Sequence, residues 1–171
     1  MTKTGLAIPM IVVFMAAVCM TAVAAENDVL REIQDRAQIE RLMWDYARAL
    51  DTGNAEAYIA TFTEDGQFGR GENAVKGREA LRKMMSSVRK SEPSGQAKSP
   101  QKPALYHMSA NHYIEFIDKD HANFHGYWFT FIAASGENKQ TSIAGVGREI
   151  NELVRVKGKW LIHVRDVSPQ D

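Results

Sequence analysis

Asp51 and His107 are the two residues whose side chains could together perform general acid–base chemistry. Asp51 lies in the phrase ALDTGN, and His107 opens the phrase HMSAN much later in the chain. A neutral imidazole takes up a proton near neutral pH because its unperturbed pKa is about 6.5. A buried carboxylate bonded to the other ring nitrogen fixes the tautomer and stabilises the imidazolium that forms. Such a pair could remove a C–H proton beside a carbonyl or across from a leaving group, which typically accelerates a reaction about 10²–10⁴-fold.

The apolar pattern before Asp51 predicts the helix that must position this carboxylate. Asp35 is a candidate N-cap, with Gln38 placed to bond back three residues later. The apolar positions that follow have the spacing of one helix face: Ile39, Leu42, Met43, Tyr46, Ala47 and Leu50. The pair Thr52-Gly53 ends this helix.

Two more helices are predicted before the chain changes to β character. Asn54 caps a short helix over residues 55–61, with Tyr58 on its buried side, and a third helix spans residues 78–88. Between them, Asp65-Gly66 predicts a turn and Phe68 predicts a short strand.

The second half of the chain predicts a loop followed by long antiparallel strands. Residues 91–103 contain three prolines and no large apolar residue, which is typical of a mobile loop. It could act as a flap over a pocket or be an idle surface loop. Beyond Leu105 the β segments cover residues 112–117, 121–134, 142–156 and 159–167, and the last two flank a hairpin turn at Lys157-Gly158. Helices followed by such strands predict an α+β domain.

The Asp51 and His107 phrases, in this order, resemble the SnoaL-like branch of the nuclear transport factor 2-like superfamily. The phrases FTEDG at 62–66 and GKWLIHVR at 158–165 extend the resemblance over about residues 30–168. It implies a cone-shaped fold, in which N-terminal helices pack on a curved, mainly antiparallel sheet and enclose a pocket. In several enzyme branches of this superfamily an Asp–His pair at these places forms a catalytic dyad.

The site pattern is most similar to the bile-acid 7α-dehydratase and scytalone dehydratase branches, which use the dyad in an elimination. The bile-acid enzymes add a Tyr five residues before the Asp and an Arg on the last strand, matched here by Tyr46 and Arg165. The resemblance implies that Tyr46 donates a hydrogen bond to a carbonyl or departing hydroxyl, and that Arg165 stabilises negative charge or holds Asp51. Hexachlorocyclohexane dehydrochlorinase has a Lys in place of Tyr46. Scytalone dehydratase uses two tyrosines that this chain lacks, with Leu50 at one of the two places.

Each catalytic candidate also has a structural alternative. Asp51 could cap the turn after its helix, and His107 could be a half-buried strand residue. Tyr46 could be a core residue with a satisfied hydroxyl, and Arg165 could be a surface cation or a structural partner of Asp51. The candidate substrate-binding residues are Asn111, Phe68, His125 and Trp128. Asn111 would share a strand face with His107 if no bulge intervenes, because the two are an even number of residues apart.

Composition and motifs argue against several other classes of protein. The sequence has no short pair of metal ligands and no glycine-rich phosphate loop, so we expect no metal and no cofactor. Lys and Arg total 21, as do Asp and Glu, so the chain lacks the basic excess typical of nucleic-acid binding.

Residues 1–25 resemble a secretory signal peptide, which implies a periplasmic or secreted protein. Lys3 precedes a long apolar run that ends in the small residues TAVAA at 21–25. An uncleaved membrane anchor is the alternative, since the run approaches the roughly 20 residues of a spanning helix. Cys19 would leave with the signal, so the mature domain, residues 26–171, would have no cysteine and would depend on its core.

Three functional hypotheses follow. The first is an exported, cofactor-independent lyase (a dehydratase) or isomerase that acts on a small apolar molecule through the Asp–His dyad. The second is a non-catalytic protein that binds a small molecule. The third is a dimeric accessory protein, because this superfamily often forms homodimers or higher homo-oligomers through the outer face of the sheet.

Overall fold

The computed structural model describes residues 8–91, 104–133 and 140–168, with side chains described from residue 26 except those of residues 88–91. The chain divides into two compact units, Met1–Ala37 and Gln38–Asp171. The predicted loop at 91–103 lies outside the described residues, apart from Ser91. In the part of the chain whose side chains are described, no helix is both long and apolar enough to span a membrane.

In the described part of the chain, three α-helices and a short 3-10 helix (Gly71–Asn73) form the helical part of the fold. The α-helices are α1 (Ile8–Thr52), α2 (Ala55–Ala60) and α3 (Arg78–Ser91). Asp35 lies inside α1, so the predicted helix start there is wrong. The reason is that residues 10–52 contain neither Gly nor Pro, and a capping pattern does not end a helix that already runs through it. The predicted cap of α2 is confirmed, since Asn54 Oδ1 accepts from Ala57 N at 3.0 Å.

The predicted apolar stripe of α1 is largely confirmed within the second unit. Ile39, Leu42, Met43 and Tyr46 are buried, while Leu50 is half-buried. Their burial against the core supplies most of the stability of such a helix, since propensity alone contributes little.

The sheet has six strands in the order β2-β1-β6-β5-β4-β3. Their bounds are β1 Phe62–Phe68, β2 Val75–Lys76, β3 Leu105–Phe116, β4 His121–Ile132, β5 Ser142–Val156 and β6 Lys159–Asp166. The β1–β6 pair is parallel and the other pairs are antiparallel. The predicted α+β class is therefore confirmed.

Gly66 lies within β1, so the turn predicted at Asp65-Gly66 is wrong. A Cβ at Gly66 would stand 3.0 Å from Ile162 O and 3.1 Å from the Phe62 side chain. The glycine therefore serves close packing of β1 against its neighbours rather than a chain reversal. Lys157 and Gly158 both have positive φ, at 50° and 80°, and form the predicted hairpin turn between β5 and β6.

The inner face of the sheet and the helices share one core. It includes Ile39, Tyr46, Tyr58, Phe62, Leu81, Phe124, Leu153 and Ile162. Side chains on β3 and β4 alternate between this inner face and an outer face, so a residue's parity decides which side it reaches.

Candidate active site

A cavity of about 680 Å³ is bounded by α1, α3 and the inner face of the sheet. Its wall includes all four predicted catalytic residues, Tyr46, Asp51, His107 and Arg165. A volume of several hundred Å³ is typical of sites for small molecules. A wider groove of about 820 Å³ is lined by His121 and His163 among others, but it contains none of the four.

Asp51 and His107 form a hydrogen-bonded pair in the cavity wall. Asp51 Oδ1 lies 2.9 Å from His107 Nδ1, and the side chains are 7% and 28% exposed. A carboxylate at Nδ1 favours the tautomer with its proton there, which leaves the lone pair of Nε2 free to accept a proton. The geometry required of a general base and the carboxylate that orients it is therefore present.

The ends of two elements bring this pair together. Gly53 has φ 62° and donates to Leu50 O at 2.9 Å, which ends α1 within two residues of Asp51. His107 lies on β3, the edge strand of the sheet, and its backbone N–H donates to Asp51 Oδ1 at 2.9 Å. The carboxylate thus satisfies an edge amide that no neighbouring strand can satisfy.

Arg165 lies in the cavity wall, but Glu149 is its ion-pair partner. Its Nη1 also donates to Asn151 Oδ1 at 2.7 Å. The expectation that Arg165 holds Asp51 is therefore wrong. Strands β5 and β6 pair Asn151 with Arg165 directly, so the partners of the guanidinium come from β5. The cation beside Asp51 is instead Arg48, 3.6 Å away on the same helix.

Two tyrosines pack beside Arg165. The Arg165 guanidinium lies over the Tyr46 ring, 4.7 Å from its centroid, and the Tyr46 and Tyr58 rings are 5.3 Å apart. Burial raises the pKa of the Tyr58 phenol, the neighbouring Tyr46 raises it further, and Arg165 opposes this. Both tyrosines line the cavity, so either hydroxyl could face a ligand. Sequence reasoning placed Tyr58 only in the core, because its position on α2 marks burial and not a cavity.

Phe68 and Trp128, two of the four predicted substrate-binding residues, line the cavity. The Trp128 Nε1–H group lies 3.1 Å from both Arg148 O and Val167 O. Its ring packs where β5 has glycines, since a Cβ at Gly147 would stand 2.8 Å from Trp128 Nε1. The indole is thus held in place by hydrogen bonds at one edge and by close backbone packing.

Asn111 and His125 do not line the cavity. A register shift separates Ala110 from Tyr113, and Asn111 is exposed with φ 48°. The bulge breaks the parity that would have put Asn111 on the face of His107, so the condition for a shared face is not met and Asn111 does not line the cavity. His125 belongs to the outer face, where it lies 3.3 Å from Glu115, because its odd spacing from Trp128 puts the two on opposite sides.

Sequence reasoning missed other cavity residues on the same elements. Met84 and Met85 contribute from α3, and Ser109 and Thr130 contribute from the sheet. Ser109 follows His107 by two residues, so strand alternation alone would have indicated it, whereas Thr130 is placed opposite His107 by the β3–β4 register, which the sequence does not specify. Met84 and Met85 lie on the apolar side of the third helix, a pattern that predicts burial in the core but does not indicate a cavity.

A family model for the SnoaL-like domain matches residues 31–166. The match covers most of the chain, which therefore belongs to the SnoaL-like domain family. A search of curated proteins found no significant match.

Solved structures share the fold at low sequence identity. A protein from Novosphingobium aromaticivorans described as a "Putative Scytalone Dehydratase" is 22% identical, with 84% of this chain and 89% of that chain covered and a TM-score of 0.65. An NTF2-like protein with a cystatin-like fold from the same organism is 23% identical over 85% and 86%, with a TM-score of 0.66. A protein of unknown function from Mycobacterium tuberculosis is 22% identical over 83% and 75%, with a TM-score of 0.67. These likenesses confirm the NTF2-like fold.

Proposed function

We propose that this protein is an exported, cofactor-independent dehydratase-like lyase or isomerase that acts on a small, largely apolar molecule. The observation that carries the proposal is the Asp51–His107 hydrogen bond of 2.9 Å in the wall of a small-molecule cavity. The similar structure described as a "Putative Scytalone Dehydratase" supports a dehydration. Export rests on the signal-like residues 1–25.

The chemical step begins with His107 as the base. Nε2 takes a C–H proton beside a substrate carbonyl, and the C–H electron pair forms a C=C bond. In a dehydration the hydroxyl on the next carbon leaves with the C–O electron pair and receives the proton from the imidazolium, which gives water and restores His107. In an isomerisation the same proton returns to a different carbon. Asp51 stabilises the imidazolium in either case.

Tyr46 and Arg165 supply the polar side of the reaction. The Tyr46 hydroxyl donates a hydrogen bond to the carbonyl oxygen as negative charge develops there. Arg165 lies against the Tyr46 ring and adds positive potential, which its partner Glu149 largely balances. The charge balance favours a neutral substrate whose oxygen becomes negative only during the reaction.

Hydrogen–deuterium exchange at the α carbon of cyclic ketones in D₂O, followed by NMR, tests the proton abstraction directly. β-Hydroxy ketones test the dehydration, because the enone that forms absorbs in the ultraviolet. We expect Asp51→Asn and His107→Ala to reduce both rates by about 10²-fold or more. His125→Ala is the matched control, since His125 also has a carboxylate partner, Glu115, but lies on the outer face. Equal rates in the His107 and His125 variants would refute the proposal.

A non-catalytic dimeric accessory protein is the second candidate, and an exposed apolar patch favours self-association. The patch on the outer sheet face consists of Tyr113, Tyr127, Ile143 and Val146. Large exposed apolar patches commonly mark interfaces. Sedimentation of the wild type and of Val146→Glu tests it, with a homodimer expected for the first and a monomer for the second.

Tight ligand binding without turnover, unaffected by the Asp51 and His107 substitutions, would favour a binding protein.

A further inference from the structure

A second cavity of about 460 Å³ also has Asp51 and His107 in its wall and is lined by residues of α1 and the edge strand β3, together with Phe124 of β4. The two cavities share part of their walls, namely Ala47, Asp51, His107, Met108 and Ser109. The dyad therefore stands at the boundary between two spaces, and a molecule in contact with it can extend into both.

The second cavity has an apolar wall that is unusually accessible. Trp44, Tyr106 and Met108 line it and are 60%, 49% and 52% exposed, and Tyr106 and Met108 reach it from the outer face of the edge strand. Trp44 lies on α1 one residue after the buried Met43, so this part of the helix presents an aromatic side chain away from the core. Flat aromatic surfaces bind flat apolar groups, and a stacked ring pair adds to affinity beyond the area that it buries.

The charged groups at the rim of this cavity are paired with one another. Glu40 Oε1 lies 3.1 Å from His112 Nε2, and Arg48 lies 3.6 Å from Asp51 Oδ2. Each carboxylate, guanidinium and imidazole of the described lining therefore already has a hydrogen-bonded or ion-paired partner. A neutral occupant fits this wall better than a charged one, because a charged group would lose its hydration without gaining a partner.

We infer that the second cavity is a subsite for a flat, neutral, apolar extension of the substrate, while the reacting carbonyl lies in the larger cavity beside Tyr46. The inference rests on the proposed function and narrows the substrate class to neutral ketones that carry a second ring. Each cavity has the volume of a small-molecule site, at about 680 and 460 Å³. The shared dyad residues argue for a small molecule over a second protein chain, since a chain docked there would close one side of the reaction site.

Equilibrium dialysis with cyclohexanone and 4-phenylcyclohexanone tests the subsite without any need for turnover. We expect wild type to bind the phenyl ketone about tenfold more tightly than cyclohexanone. Trp44→Ala should weaken binding of the phenyl ketone by about 3–10-fold, as expected for loss of one aromatic pair, and leave cyclohexanone unchanged. Tyr113→Ala is the matched control, because Tyr113 is 61% exposed on the outer face and lines neither cavity.

Three outcomes would overturn the inference: no preference for the phenyl ketone in wild type, equal effects of Trp44→Ala on both ketones, or equal effects of Trp44→Ala and Tyr113→Ala. A fall from dimer to monomer in Trp44→Ala, seen by sedimentation, would also overturn it by assigning the cavity to a second copy of the chain. Failure of the chemistry gives a different pattern. α-Carbon exchange would then be absent in wild type while the Trp44-dependent preference persists.

Discussion

Asp51 accepts two hydrogen bonds from His107 through one oxygen atom. Oδ1 lies 2.9 Å from the backbone N and 2.9 Å from ring Nδ1. The first bond ties the end of α1 to the edge strand, and the second orients the imidazole. The structural and catalytic readings of Asp51 are therefore compatible, because a single carboxylate serves both.

The backbone bond predicts that Asp51→Ala destabilises the protein more than Asp51→Asn does. Both changes remove the charge, but Asn retains an oxygen that can accept from the His107 N–H. We expect the alanine variant to unfold with a free energy about 0.5–1.5 kcal/mol lower than the asparagine variant, the usual net contribution of a hydrogen bond, because the His107 amide is only half-buried. Urea unfolding at pH 7 measures the difference. Two variants of equal stability would show that this bond contributes nothing to the fold.

Arg165→Met should be strongly destabilising because it leaves Glu149 charged and unpaired. The two side chains are 5% and 0% exposed. Removing one partner of a buried ion pair typically costs about 3–5 kcal/mol. We expect Arg165→Met combined with Glu149→Gln to recover much of that loss in urea unfolding. Arg82→Met is the control, since Arg82 pairs with Glu56 and Glu79 at the surface and its loss should change stability little. A double variant no more stable than Arg165→Met would argue against the pairing.

Tyr58→Phe should be neutral or stabilising. Tyr58 is fully buried, and its Oη makes no hydrogen bond of good geometry among the described residues, the neighbouring Tyr46 being the polar group beside it. Removing an unsatisfied buried hydroxyl removes a desolvation cost of roughly 1–3 kcal/mol. Thermal unfolding without ligand is the measurement. A marked fall in the melting temperature would mean that the hydroxyl is bonded in solution. Reduced ligand affinity at unchanged stability would instead assign the hydroxyl to the ligand.

The carboxylate of Asp166 should stabilise the folded protein at neutral pH, and protonation of this group in acid should remove that stabilisation. Burial raises the pKa of Asp166, but hydrogen bonds from Ser168 and the Arg70 guanidinium outweigh it and hold the pKa below its ordinary value. A carboxylate with a lowered pKa in the folded state stabilises the fold above its unfolded pKa of about 3.9, and this contribution is lost as pH falls through the lower, folded pKa.

We therefore expect the free energy of unfolding of wild type to fall below about pH 4 more steeply than that of Asp166→Asn. Urea unfolding at pH 7 and pH 3 gives both values. Asp65 and Asp118 also have lowered pKa values, so the variant should keep part of the acid sensitivity. Identical losses in the two proteins would show that Asp166 does not contribute.

The sequence predicted those features of the site that depend on local pattern or family phrases. The stripe of α1 placed Tyr46 in the core, and the phrases around Asp51 and His107 indicated two residues that do meet. The partner of Arg165 was predicted wrongly because it depends on the β5–β6 register, which no local pattern specifies. The condition attached to Asn111, that no bulge intervenes, could not be checked from the sequence, because a bulge of one residue changes parity without a distinctive residue to mark it.

Gly145 and Gly147 lie against the Trp128 indole, which forms part of the wall of the cavity that contains Tyr46 and Arg165. Substitutions at these glycines would therefore change the shape of that wall. A Cβ at Gly145 would stand 3.0 Å from Trp128 Cζ3, and one at Gly147 would stand 2.8 Å from Nε1. A methyl group at either position would force the indole to shift, while a smaller ring at 128 would leave room behind it. Ligand size in this scaffold can thus be retuned at three positions, none of which contributes to the proton-transfer pair. Relatives with the same chemistry and different substrates could arise by this route.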